Sequence, residues 1–344
     1  MIRILIADDS LTTRLVLKDL VARDDGIAVI GEAVDGREAV EKTIKLRPDL
    51  VIMDIMMPAM DGLSATMEIM GRCPTPILIL SADADEDSDN AFQAIQFGAL
   101  DVMAKPVGAV TESFDAIAEN LIEKIKILGR IPVMHHFRRQ SRPQPTAPQP
   151  PPDRRRNILA IGASTGGPRA VAHLLCTLSP ATHPRILVVQ HIAKGFAGNF
   201  AQWLDKESPF SVRLAEHGDR MRDGVALVAP NNCHMEVRNE RIILSDAPPI
   251  NSCRPSVDAL FLSLAQRHAS ECIAVLLTGM GRDGTAGMLA LRRKGGYNIV
   301  QDEASSTVFG MPRSAIEARA AHQVLPLTKI TEAVDHLLRG KSTE

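Results

Sequence analysis

Residues 141–156 read SRPQPTAPQPPPDRRR, a run that no packed helix or sheet accommodates. Its prolines lack amide donors and favour extended polyproline conformations, so the run is expected to tether two separate bodies. Charge divides the chain in the same region. Residues 1–125 carry 11 Lys+Arg against 23 Asp+Glu, residues 126–156 carry 8 against 1, and residues 157–340 carry 19 against 16. The expected organisation is an acidic domain over 1–125, a Pro/Arg-rich linker over 126–156 and a second domain over 157–340, which suits a chain of 344 residues.

Composition excludes several classes. With 45% hydrophobic and 23% charged residues the chain is not wholesale disordered, and its formal charge of −2 is not that of a polycation built for nucleic acid. No apolar run approaches the roughly 18 residues of a membrane span, and MIRILIADDS reaches acid too soon for a signal peptide. A cytoplasmic protein without membrane insertion is expected. The five cysteines (73, 176, 233, 253 and 272) form no CxxC pair, which argues against a disulfide framework or a zinc site and leaves each as a small buried hydrophobe.

Both halves share one grammar. In the first, IRILIAD (2–8), AVI (28–30), LVIMD (50–54), PILILSA (76–82) and the segment before Lys105 read as buried parallel strands. Stretches 12–23 and 36–46 between them have helical spacing, so an open parallel sheet covered by helices on both faces is expected. In the second half, NILAIGA (157–163), RILVVQ (185–190) and CIAVLLTG (272–279) are strand candidates, with ALVAP and RIILS between the last two. Residues 168–178 and 257–268 are helical in pattern, and 207–256 is rich enough in β signals to suggest an antiparallel excursion. The fold class is α/β, as two doubly wound domains.

Parallel sheets bind ligands at the carboxyl ends of their strands. In the first domain Asp8 and Asp9 end one strand, Asp54 and Ser81 end two others, and Lys105 follows the last. Crowded carboxylates repel unless a hard divalent cation such as Mg²⁺ is shared among them, and Lys105 and Ser81 can stabilise a phosphoryl group passing to Asp54. A strand-ending Asp alone is more often a helix cap; the set on one edge is not explained that way. The motifs ADDS (7–10), MDIMMPAMDG (53–62), LSA (80–82) and AKP (104–106) resemble the response-regulator receiver family over about 1–125. That resemblance implies a flavodoxin-like five-stranded sheet, Asp54 as phospho-acceptor, Asp8, Asp9 and Asp54 around Mg²⁺, and a cis bond at Lys105–Pro106. Val102 stands where many receivers carry a switching aromatic, and Met56 replaces a commoner polar residue.

In the second domain ILAIGASTGGPRAVAHLL places Gly-Ala-Ser-Thr-Gly (162–166) between strand and helix. Small neighbours permit a sharp turn presenting Ser164 near the amides of the following helix. A phosphate loop would need Gly-Lys-Ser/Thr where Gly167-Pro168 stands, and the dinucleotide fingerprint lacks its second glycine. A serine nucleophile needs a base, and His191 ends RILVVQ on the same edge. Asp283 in TGMGRDG (278–284) reaches that edge again and suits the carboxylate that orients an imidazole, although such a loop also suits a helix cap or phosphate turn.

The order Ser164, His191, Asp283 is not that of α/β-hydrolases. The blocks IGASTGGP (161–168), VVQHI (188–192), LVAPNNCHM (227–235), LLTGMGRDG (276–284) and QDEASSTVFGMPRSA (301–315) closely resemble the CheB protein-glutamate methylesterase family. The resemblance implies phosphorylation-activated hydrolysis of glutamate methyl esters on chemoreceptor cytoplasmic helices, with deamidation of receptor glutamines and a CheA-type histidine kinase as phosphodonor. It also implies oxyanion donation by the backbone amides of Thr165 and Met280, and no metal in the esterase site. The alternative is a catalytically silent, phospho-switched receptor-binding module. A DNA-binding regulator is disfavoured by the weak charge of the second domain and its lack of a short helix-turn-helix tail.

Overall fold

The computed structural model describes residues 1–81, 88–106, 114–131 and 156–340, and the chain divides into two compact units, Met1–Ser141 and Arg142–Glu344. The first unit runs β1 (Ile2–Ala7), α1 (Leu11–Val21), β2 (Ile27–Ala33), α2 (Gly36–Leu46), β3 (Leu50–Asp54), α3 (Gly62–Arg72), β4 (Ile77–Ser81), α4 (Ser88–Gln96), β5 (Asp101–Ala104) and α5 (Phe114–Leu128). Its strands pair in parallel in the order β2-β1-β3-β4-β5.

β3 and β4 are buried along their whole length, so they read as continuous apolar runs rather than alternating ones. Ile4, Ile6, Ile52 and Leu78 pack with Leu17, Leu20, Leu121 and Ile125 into one core. Three helices start where the sequence supplies a cap: Ser10 accepts from the Thr13 amide, Asp35 from Glu38 and Asp61 from Ser64. α5 runs on to Leu128, and Leu128 and Ile131 join the same core.

The second unit runs β6 (Ile158–Ala163), α6 (Gly167–Thr177), β7 (Arg185–Gln190), α7 (Ala197–Glu207), β8 (Ser211–Leu214), β9 (Val225–Val228), β10 (His234–Arg238), β11 (Arg241–Ser245), α8 (Val257–Arg267), β12 (Cys272–Leu276), α9 (Thr285–Arg293), β13 (Tyr297–Gln301), α10 (Met311–Glu317), β14 (Gln323–Leu325) and α11 (Leu327–Arg339). Seven strands form a parallel sheet in the order β14-β13-β12-β6-β7-β9-β8.

The antiparallel excursion is smaller than the β signals in 207–256 suggested. Of the strands there, β10 and β11 pair antiparallel, across a two-residue turn whose Asn239 and Glu240 both have positive φ (50° and 61°), beside isolated antiparallel bridges at Arg220–Arg241 and Ile250–Cys253. β8 and β9 instead extend the parallel sheet at its edge. Composition alone does not distinguish the two outcomes, because a short apolar run suits either pairing. Most of the linker (132–155) lies outside the described residues. Arg156, at its end, is buried with its guanidinium over the Tyr297 ring at 5.3 Å. No helix among the described residues is long and apolar enough to cross a membrane.

Candidate active site

In the first unit the carboxyl ends of β1, β3 and β4 converge as expected. Lys105 Nζ lies 2.8 Å from Asp8 Oδ2 and 2.8 Å from Asp54 Oδ2, with both acids buried. Asp8, Asp9 and Asp54 can each bring an oxygen within 4.8 Å of the others. Three clustered carboxylates are the donor set a hard divalent cation such as Mg²⁺ requires, so the residues fit that ion. Burial pushes Asp54 up to about 6 despite the Lys105 pair, with Asp8 adding repulsion. Ser81 is buried at the end of β4, and its carbonyl accepts from the Lys105 amide at 2.8 Å. Val102 is buried, whereas Met56 is 57% exposed at the mouth of this edge. The cis peptide bond among the described residues is Arg254–Pro255, so the expected cis bond at Lys105–Pro106 is not found.

A raised carboxyl pKa carries a stability consequence. The favourable difference between folded and unfolded Asp54 is present below its ordinary value of 3.8 and is lost as pH rises through about 6. At neutral pH the charged form is therefore a burden on the fold. Asp54→Asn should stabilise the first unit in metal-free buffer at pH 7 by up to about 3 kcal/mol, and the gain should vanish near pH 3. Denaturant titrations of both proteins at the two pH values, followed by exchange of the β1 and β3 amides, check this.

In the second unit the three singled-out residues leave neighbouring strands. Ala163 pairs with Gln190 and Gly162 with Leu276, so Ser164, His191 and the loop carrying Asp283 emerge side by side. The turn at Ser164 is built by close approach. Gly166 has φ +75°, and a Cβ there would lie 2.4 Å from the Thr307 side chain. Gly279 lets the second loop pass Ser164, since its Cβ would sit 2.7 Å from Ser164 Cβ. The Ser164 amide donates to the Thr278 carbonyl (3.0 Å), and its own carbonyl accepts from Gln190 Nε2 (2.8 Å). Among the described residues, the amides of Thr165 and Met280 donate to no protein acceptor.

His191 Nε2 lies 2.9 Å from Asp283 Oδ2. An ionised carboxylate only accepts, so Nε2 carries the proton and Nδ1 is the nitrogen that faces away. Asp283 is held at the N-terminus of α8. Its Oδ2 also accepts from the Val257 amide (2.7 Å), and its Oδ1 accepts from Ser256 Oγ (2.8 Å) and from the amides of Asp258 and Gly284 (both 3.1 Å). Burial opposes ionisation of Asp283, but His191, Ser256 and Val257 hold its carboxyl below the usual range. Burial likewise opposes the His191 cation, and Asp283 together with the Cys253 sulfur overrides it, raising the imidazole to about 9. Ser164 Oγ and His191 are not hydrogen-bonded to each other here. Such contacts commonly tighten only when substrate binds.

Sequence reasoning missed the supports. Ser256 caps α8 and grips Asp283, while Asn251 Nδ2 donates to Asp258 Oδ2 (2.9 Å) and Asp283 Oδ1 (3.3 Å). The legible signal was Ser256 immediately before an apolar-periodic run, an N-cap signature. The expectation that each cysteine is buried fails at three of the five. Cys73 and Cys272 are buried, but Cys176 is exposed, Cys233 is partly exposed, and the partly exposed Cys253 has its Sγ 3.7 Å from His191 Nδ1. A cleft of about 500 Å³ lined by His173, Thr177, Thr331, Asp335, His336 and Arg339 shares no residue with this cluster.

The chain is similar to known proteins over both units. The family model described as CheB methylesterase matches residues 159–334, and the response regulator receiver domain matches 4–115. The chain is 42% identical over 347 residues to protein-glutamate methylesterase/protein-glutamine glutaminase 4 of Myxococcus xanthus, covering 98% of each chain. It is also 42% identical to protein-glutamate methylesterase/protein-glutamine glutaminase 2 of Anaeromyxobacter dehalogenans, covering 98% of this chain and 97% of that one. Among solved structures, the Thermotoga maritima CheB methylesterase catalytic domain aligns with a TM-score of 0.51 at 38% identity, over 54% of this chain and 98% of that one. With a parallel carboxylate-edged sheet followed by a serine-elbow sheet, and relatives matched from end to end, the chain belongs to the CheB methylesterase family, as a member that carries a response regulator receiver domain.

Proposed function

We propose that the protein hydrolyses glutamate γ-methyl esters on chemoreceptor cytoplasmic helices, and deamidates receptor glutamines, with Ser164 as nucleophile, His191 as base and Asp283 as its orienting carboxylate. The observation that carries the reading is the buried Asp283 on His191 Nε2, set beside a serine on the neighbouring strand. The relatives named protein-glutamate methylesterase/protein-glutamine glutaminase support the substrate class.

Ser164 Oγ attacks the side-chain carbonyl as His191 Nδ1 takes its proton, and the unpaired amides of Thr165 and Met280 receive the developing oxyanion. Collapse expels methanol, or ammonia from a glutamine, with the proton returned by His191. Water then enters, gives a proton to His191 and releases the glutamate carboxylate, after which Ser164 regains its hydrogen. Asp283 keeps the imidazole in the tautomer whose free nitrogen is Nδ1. His191 is largely protonated at neutral pH, so turnover should climb as pH rises towards about 9.

In the receiver, Asp54 is the phospho-acceptor for a CheA-type kinase. Asp8, Asp9 and Asp54 would hold Mg²⁺, which supplies positive charge for the phosphoryl oxygens. Lys105 neutralises the same oxygens, and Ser81 donates a hydroxyl to them. The test is release of labelled methanol from methylated receptors, with and without a small-molecule phosphodonor and Mg²⁺. Phosphorylation should raise the rate by about 5- to 150-fold, the usual span of a coupling free energy. Asp54→Ala should keep the basal rate and lose the activation. No methanol under either condition, from folded protein, would leave the silent receptor-binding module as the better account.

A further inference from the structure

Cys253 lies on the segment between β11 and α8, outside the triad. The segment is pinned: Cys253 and Ile250 exchange backbone hydrogen bonds of 2.9 and 3.1 Å, and Arg254 Nη1 donates to the carbonyls of Asp246 (3.0 Å) and Ala247 (3.3 Å). Its thiol sulfur is 3.7 Å from His191 Nδ1. A tetrahedral metal with sulfur at about 2.3 Å and imidazole nitrogen at about 2.0–2.1 Å separates those two ligand atoms by about 3.6 Å. The pair is therefore already at the edge length of such a site. On the far side of the ring, Asp283 accepts from Nε2, which fixes the tautomer with its lone pair on Nδ1. A carboxylate behind a histidine in this way is the usual support of a metal-bound imidazole.

We propose that His191 Nδ1 and Cys253 Sγ form a second, inhibitory metal site that takes a borderline-soft divalent cation of the Zn²⁺ kind. Asp283 also has an oxygen within 4.8 Å of both ligand atoms. Its oxygens already accept from His191, Ser256, Asn251 and the amides of Val257, Asp258 and Gly284, so it acts through the imidazole and not as a ligand. Binding forms one metal–sulfur and one metal–nitrogen bond and releases to solvent the thiol proton and any proton on Nδ1. Water fills the remaining positions. The cation occupies the lone pair that must receive the Ser164 proton, so hydrolysis stops. Mg²⁺, which prefers hard oxygen ligands, leaves the site alone. The inhibitory consequence rests on the esterase mechanism above; the ligation does not.

The experiment uses the full chain in buffer saturated with Mg²⁺, so that the receiver carboxylates are occupied. Zn²⁺ is titrated while methanol release is followed, and Co²⁺ is titrated separately as an absorbing probe of thiolate ligation. Wild type should lose about tenfold or more of its rate with Zn²⁺ and show a thiolate-to-cobalt charge-transfer band. Cys253→Ala and Cys253→Ser should each still release methanol without added metal and lose both the inhibition and the band. Cys73, Cys176, Cys233 and Cys272 remain in both variants and serve as internal controls. Equal inhibition and equal cobalt spectra in wild type and folded variants would overturn the site. Absence of metal-free hydrolysis in wild type would instead overturn the esterase reading, and the cobalt spectra would still decide the ligation.

Discussion

Ser164→Ala should lose ester hydrolysis on the order of 10⁵–10⁶-fold, the scale seen when a serine nucleophile of a hydrolase is removed. The fold should barely notice. Ser164 is 9% exposed, and among the described residues its hydroxyl makes no hydrogen bond, whereas its backbone amide and carbonyl are both engaged. Alanine keeps those backbone bonds and removes one oxygen that no described residue holds, so stability should stay within about 1 kcal/mol of wild type. His191→Ala should cost activity similarly, and the double change at Ser164 and His191 little more than either alone, because nucleophile and base act as a unit. Methanol release from labelled receptors, measured beside thermal unfolding, separates lost chemistry from lost structure. Near-normal turnover in a folded Ser164→Ala protein would sink the serine mechanism.

Asp283→Asn should reduce the alkaline plateau of the rate by about 10³–10⁴-fold, the scale seen when the corresponding aspartate of a serine protease becomes an amide. The carboxamide can donate to Nε2, which would move the imidazole proton to Nδ1 and remove the lone pair that faces the substrate side. The pH profile provides a second readout. In wild type the carboxylate, with the Cys253 sulfur beside it, raises the imidazolium to about 9; without the carboxylate charge burial counts for more, and the inflection should fall. The deficit should therefore be smaller at pH 7 than at pH 9.5, because wild type itself is mostly protonated at neutrality. An unchanged inflection would mean that Asp283 does not set the charge of His191.

Much of this was open to reading from residue order. The apolar runs that became β1, β3, β4, β6, β7 and β12 are buried strands, and such runs announce themselves because both faces of a covered parallel sheet are apolar. Residues immediately after those strands must collect on one edge, so Asp54 near Lys105, and His191 near Asp283, followed from placement alone.

What residue order could not supply was anything decided across long separations by distances of an ångström or two. It did not show that Nε2 and not Nδ1 meets Asp283, because a ring nitrogen's partner depends on how β7 and the loop after β12 pack. Nor did it place Ser256 and Asn251 on that carboxylate, or β8 and β9 in the parallel sheet. Cys253 makes the point most sharply. By sequence it is one more small apolar residue, and only the approach of the segment before α8 to the end of β7, 62 positions away, sets its sulfur against His191 Nδ1. Periodicity reports which face of an element is buried; the neighbour across the gap is chosen by packing of the whole domain.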